Sequence, residues 1–447
     1  MNSTLLAVLS GLFGLFCVGR EVRLIIREKR IRIINMFLIM YGVTYGIVLS
    51  LLMIFYNTGV YEATGEFLRF DYSPEGLTRT AWWFFAAVIG YISFKLATIV
   101  RFRKQEPKAV IAQEGLNAPL LDRLQITSFL CLAIGVVCFT IWANSWGGYM
   151  NLFLNAEEIR NGSYGVKNPV AFFAKPAQIV ATVSMISLFL IKKKKNIWLN
   201  VVFFILSFGI SMLYYLAKDG RMVMAMYLLI VLFMWDGTFE KQSSMGKKLI
   251  KLALYFVLFV LIVLNMNRLT SALRNDSVTV VEDKTLLESI MGELNYIYVA
   301  GQTAVEHCTT QGCPWLIGHD VGSSLFAWVP SALTPKSLIN VWDYNTYLIA
   351  GADAMAQYPT DLISTSLYDL GILGPILLPA FWGILISKLE SLHSNNNSPL
   401  FTVLYYSLAM TLVRVVNYSM FSATVASVFH IFVTAVVYWA VRRARWR

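Results

Sequence analysis

The stretch Leu213-Tyr-Tyr-Leu-Ala217-Lys218-Asp219-Gly220-Arg221-Met222-Val-Met-Ala225 sets three charged residues and a glycine between two apolar runs. The run after the break, Met222 to Trp235, is shorter than the ~20 residues a helix needs to cross a hydrocarbon core of about 30 Å. The charged break therefore sits at or beneath a membrane surface. Burying Arg221 there costs at least ~2.5 kcal/mol, which favours a protein-lined, water-filled recess that uses a fixed positive charge. Such a recess suits an anionic ligand. The plainer reading of the same residues is a helix-end arginine that reaches back to the headgroups.

Composition agrees with the membrane reading. With 57% hydrophobic and 14% charged residues, long charge-free stretches exclude a soluble globule. The expectation is an all-α polytopic protein of eleven spans: Leu5 to Gly19, Met36 to Tyr56, Ala81 to Val100, Ile126 to Trp146, Pro176 to Ile191, Ile197 to Leu216, Met222 to Trp235, Leu249 to Asn265, Leu367 to Ile386, Leu400 to Val413 and Met420 to Val441. The first run lacks a basic start and a small-residue cleavage site, so it reads as a retained helix.

Basic residues orient the spans. Arg20 to Arg32, Arg101 to Arg123, Lys192 to Lys195, Lys241 to Lys248 and the Arg442 to Arg447 tail alternate with arginine-poor loops and mark the cytoplasmic side. The loops Asn57 to Thr80, Gly147 to Lys175, Ala217 to Arg221 and Met266 to Ser366 then fall outside. The net charge of +11 reads as a topology device attracted to anionic lipid heads, with no nucleic-acid role. Three regions follow: residues 1–265 with eight spans, a large outer loop 266–366, and residues 367–447 with three spans and a basic tail.

Cys17, Cys131 and Cys138 lie in spans and read as packing residues, whereas Cys308 and Cys313 in the outer loop suit a small disulfide in an oxidising compartment. No metal-ligand spacing and no glycine-rich phosphate loop is present, so neither a cofactor nor a nucleotide-driven pump is expected.

Aromatic residues gather in the outer loop: Trp328-Val-Pro330, then Trp342-Asp-Tyr344-Asn-Thr-Tyr347. Rings with an apolar face and a polar edge suit sugars, and they equally suit an interfacial belt. The pattern Leu286, Leu287, Ile290, Met291, Leu294, Ile297 reads as a helix on the membrane or on the bundle. Between Leu400 and Val441 the one formal charge is Arg414, flanked by Asn417 and Tyr418 at the outer end of a hairpin. His430 reads as a bundle histidine.

From about Gly147 onward the chain resembles the Wzy-type polysaccharide repeat-unit polymerases. The resemblance rests on Asn151-Leu-Phe-Leu through Arg160-Asn-Gly-Ser-Tyr164, on Lys175-Pro-Ala, and on Asp219-Gly-Arg221 opening an apolar helix. It continues through Phe326-Ala-Trp-Val-Pro-Ser331 to Pro335-Lys336, Pro359-Thr-Asp361, Tyr368-Asp-Leu-Gly371-Ile-Leu-Gly374, and the arginine before the last helix, Arg414. Lys336 stands where relatives often carry arginine.

The resemblance implies a fold similar to the GT-C-like lipid-linked glycan transferases and a location in the bacterial inner membrane with the site facing the periplasm. It implies transfer of a growing glycan from undecaprenyl pyrophosphate to a repeat unit on a second carrier, beside a flippase and a chain-length regulator as partners. The leaving pyrophosphate needs fixed cations, for which Arg221 and Arg414 are the candidates. Asp361 or His319 would activate the acceptor hydroxyl, though an Asp before a helix is also a common cap. Arg160, Lys175, Lys336, Trp342, Tyr344, Asn417 and Tyr418 are the candidate substrate contacts. An O-antigen ligase shares this logic with another acceptor, and a flippase or exporter would instead line a central path with its cations.

Overall fold

The computed structural model describes residues 2–28, 31–58, 70–102, 118–161, 168–218, 221–236, 254, 286–330, 333–335, 337–351, 358–395 and 398–444. Regular structure among them is helical: α1 (Ser3–Glu28), α2 (Ile33–Asn57), α3 (Pro74–Phe102), α4 (Ala118–Asn144), α5 (Tyr149–Leu154), α6 (Ala156–Asn161), α7 (Ile179–Lys192), α8 (Ile197–Ala217), α9 (Arg221–Asp236), α10 (Leu286–Thr310), α11 (Ile317–Leu325), α12 (Val341–Ala350), α13 (Leu362–Leu370), α14 (Gly374–Asn395), α15 (Pro399–Arg414) and α16 (Phe421–Ala444).

Eight helical stretches are long and apolar enough to cross a membrane, and the shorter apolar helices Val223–Trp235 and Leu400–Arg414 accompany them. The expected span Leu249 to Asn265 lies outside the described residues apart from Leu254. Most expected boundaries move by several residues, and two of the shifts have a visible physical reason. The first helix runs on through Arg20 to Glu28, because Glu21 is buried there between Lys95 Nζ (2.5 Å) and Asn35 Nδ2 (2.9 Å). A carboxylate so enclosed by donors can stay inside the bundle instead of ending the span. The span expected from Leu367 starts earlier, at Leu362, and is interrupted at Gly371, whose φ of 59° suits a residue without a Cβ.

The helices pair as neighbours in the chain and across it. α14 lies along α3, α8 runs back along α7, α4 packs on α7, and α16 touches α4, α11 and α15. α1 and α2 cross so closely that a Cβ on Gly46 would meet the Gly14 backbone. At this crossing α2 widens into a π-turn over Val43–Val48, the kind of local defect that frees backbone groups. The Thr44 carbonyl accordingly accepts the Tyr298 hydroxyl at 2.9 Å.

The outer-loop pattern forms α10, which packs on the bundle against α3, α12 and α13. Trp83 meets Tyr298 edge-on at 5.6 Å, and buried Gln302 bonds to Asp71, Gly76 and Thr80. α10 is capped by a disulfide between Cys308 and Cys313, while Cys17, Cys131 and Cys138 are free and buried. His430 is buried in α16.

Candidate functional site

Chain direction brings several distant residues to one end of the bundle. α7 runs away from that end and α8 returns to it, while α15 arrives there and α16 departs. The turn before α7, the α8–α9 junction and the α15–α16 turn therefore meet. They carry Lys175, Lys218 and Arg414.

Among the described residues, each cation is held by something other than an acid. Lys175 is half-buried and donates to the Ala327 carbonyl. Lys218 lies over the Tyr214 ring at 5.7 Å, and Tyr214 in turn donates to Ala174 O at 2.7 Å, fastening the end of α8 to the Lys175 turn. Arg414 is half-buried over Tyr418 at 5.5 Å, and its buried Nε has no hydrogen-bond acceptor among the described residues. No ion pair to any of the three occurs among the described residues. Lys218 keeps water-accessible surface, yet the protein crowded around its ammonium, and after that the charges of Lys175 and Arg414, push its pKa down to about 8. Like charges gathered without a counter-ion among the described residues raise one another's energy, and an anion placed among them relieves it.

The turn after Arg414 is fixed from all sides. Leu362 N donates to Val416 O at 3.0 Å and Ser419 N to Thr360 O at 2.9 Å. Tyr45 donates to Val416 O (3.1 Å), Thr365 to Ser419 O (2.7 Å), Tyr296 to Asn417 O (3.1 Å) and Trp342 Nε1 to Ser419 O (3.1 Å). Asn417 is buried; its Oδ1 accepts from Thr44 at 2.7 Å, and its Nδ2 has no acceptor among the described residues. The π-turn in α2 thus serves the site twice, through Thr44 and through Tyr45.

Asp361 is the N-cap of α13. One oxygen accepts from Ile363 N (2.8 Å), Ser364 N (3.1 Å) and Tyr45 (2.8 Å), and the other from the Ser364 hydroxyl. The carboxylate is sealed from solvent and is taken up by two helix-start amides and two buried hydroxyls, so the geometry gives Asp361 a positioning role under the Arg414 turn. His319 is exposed on α11. Its neighbour Asp320 is buried and accepts from Val341 N (3.3 Å) and Phe421 N (2.8 Å), tying together the starts of α12 and α16. Burial pushes that carboxyl up to about 6 against those two bonds.

The remaining candidates divide. Trp342 meets Tyr418, the ring under Arg414, at 6.2 Å. Tyr344 turns elsewhere, its hydroxyl 2.7 Å from His307 Nε2. Arg221 opens α9 three residues after Lys218; its side chain, that of Arg160 in α6, and Asp219, Gly220 and Lys336 lie outside the described residues.

Sequence reasoning missed Lys218 and Tyr296. The one signal for Lys218 was its place at the charged break beside Arg221; Tyr296 carried none beyond its helical register. Comparison with protein-family models, characterised proteins and solved structures returned no match.

Proposed function

We propose that the protein polymerises undecaprenyl-pyrophosphate-linked oligosaccharide repeat units into a surface polysaccharide on the outer face of a bacterial inner membrane. It would do so as an eleven-span glycosyltransferase of GT-C-like organisation. The observation that carries this reading is the convergence of Lys175, Lys218 and Arg414 at one end of an apolar bundle, with no acidic partner among the described residues. Pyrophosphate is the common leaving group whose charge would need such a cluster, and a guanidinium holds it in bidentate fashion while staying ionised.

In the reaction, the bond between the anomeric carbon of the growing glycan and its pyrophosphate breaks. The non-reducing hydroxyl of the incoming repeat unit forms the new glycosidic bond, and its proton passes to a base. The cations stabilise charge as it develops on the departing oxygen, in a site whose turn is already hydrogen-bonded in place. Arg221, at the start of α9 near Lys218, joins the cluster in this reading.

The test replaces Arg414 and Arg221 singly by Ala and by Lys, and scores polymer ladders beside protein level. Normal expression with loss of the ladder is expected for Ala, and partial recovery for Lys would mean that charge outweighs bidentate geometry. Wild-type ladders from well-expressed Ala variants would sink the reading. A wild-type protein that transfers glycan to a lipid acceptor without lengthening it would identify a ligase instead.

A further inference from the structure

Three rings from three elements meet at the turn that follows Arg414. Tyr418 follows it in the turn, Tyr296 comes from α10 with its centroid 5.3 Å from Tyr418 and its plane tilted by 40°, and Trp342 comes from α12 at 6.2 Å and 61°. The inclined planes meet as a corner on the turn that follows Arg414. All three are half-buried, so each keeps surface open. Tyr296 and Trp342 are also fixed by their polar ends, each donating at 3.1 Å to the backbone of the same turn, at Asn417 O and Ser419 O. Anchoring a ring by its edge leaves its apolar face presented at low entropic cost. The buried Nδ2 of Asn417, without an acceptor among the described residues, adds a donor in that turn.

We propose that Tyr296, Trp342 and Tyr418 form a subsite for the pyranose joined directly to the diphosphate, with Asn417 as its polar contact. This rests on the glycan-polymerising reading given above. A pyranose offers apolar C–H faces for the rings and hydroxyls for an amide, and a diphosphate among the cations would place its first sugar against the neighbouring corner. The same corner would hold the anomeric carbon still while the bond to the diphosphate breaks.

The experiment uses the purified protein in lipid nanodiscs and two probes: farnesyl diphosphate, and farnesyl diphosphate carrying one N-acetylglucosamine. The wild type should bind the sugar-bearing probe about tenfold more tightly, in keeping with two or three aromatic contacts. Tyr296→Leu and Trp342→Leu also lose a bond that anchors the Arg414 turn, which weakens both probes alike, so the readout is the ratio between probes, expected to fall close to one; Arg414→Ala should weaken both probes and leave the ratio near its wild-type value. Trp342→Phe keeps an aromatic face and should retain most of the preference, which separates stacking from a folding defect. An unchanged ratio in the Leu variants, or equal weakening of both probes, overturns the subsite. If the wild type binds bare diphosphate and the sugar adds nothing, the subsite fails and the anion reading survives; if it binds neither probe, both fail.

Discussion

Replacing Asp361 distinguishes a cap from a proton acceptor. Asp361→Ala removes the acceptor for two amides at the start of α13, for Ser364 Oγ and for Tyr45. Loss of an N-cap costs about 1 kcal/mol. The Ser364 hydroxyl, which accepts from Trp83 Nε1, loses its own acceptor in a dry site, and each such orphan costs about 1–3 kcal/mol. Tyr45 keeps Val416 O and adds little. The total, about 2–4 kcal/mol, is a large share of the stability of an ordinary domain. Asp361→Asn keeps one oxygen for the amides and Tyr45, so the cap survives; its NH₂ donates to Ser364 Oγ, and the remaining cost is the lost acceptor of the Ser364 hydroxyl, about 1–3 kcal/mol. Size-exclusion profiles, thermal unfolding in detergent and polymer ladders should therefore show a depleted, low-melting Ala variant and a folded, active Asn variant. A folded Asn variant with no ladder would refute the cap assignment and make the carboxylate the base. An Ala variant as stable as wild type would refute the energetics.

Diphosphate affinity should fall as pH rises through about 8, where Lys218 loses its proton, and Lys218→Arg should extend tight binding to higher pH; a flat wild-type profile from pH 7 to 9.5 rejects this role. The sign follows from a lowered lysine pKa: the cation is present below about 8, and a bound anion raises it again. Polymerisation by purified protein should proceed near its normal rate in excess EDTA, since the acidic residues are scattered along the chain; abolition by EDTA with rescue by Mg²⁺ would require a carboxylate-held metal. Single cysteines at Ser277 and Ser331, on a background without native cysteines, should react with an impermeant thiol reagent in spheroplasts, whereas one at Ser243 should not. Reversed labelling would move the cation cluster to the wrong face for a lipid-linked glycan.

Composition and charge spacing were enough to identify a helical membrane bundle, and a lone Arg414 in a charge-free stretch was visible as an anomaly because membranes penalise it. The cap role of Asp361 was legible in its place before a helical run. Lys218 was not, because its significance lies in meeting Lys175 and Arg414, residues far away in sequence that only the packed hairpins bring near. Tyr296 sits in an ordinary helical pattern, where a ring that packs and a ring that binds look alike. The π-turn left no trace at all: Val43-Thr-Tyr-Gly-Ile-Val48 reads as a plain apolar span. Span boundaries failed where a buried pair such as Glu21 and Lys95 lets charge stay inside.

The close crossing of Gly14 and Gly46 bears on how this chain can be taken apart. A helix pair that meets backbone to backbone has a single register, so Thr44 and Tyr45 are delivered to the Arg414 turn at one height only. The opening hairpin and the closing hairpin are therefore one inheritance, although more than 300 residues separate Thr44 from Asn417. A chimera that borrows its last two helices from another membrane protein would import a different turn without the ledge it rests on, and an exchange that respects this architecture would have to carry both ends together.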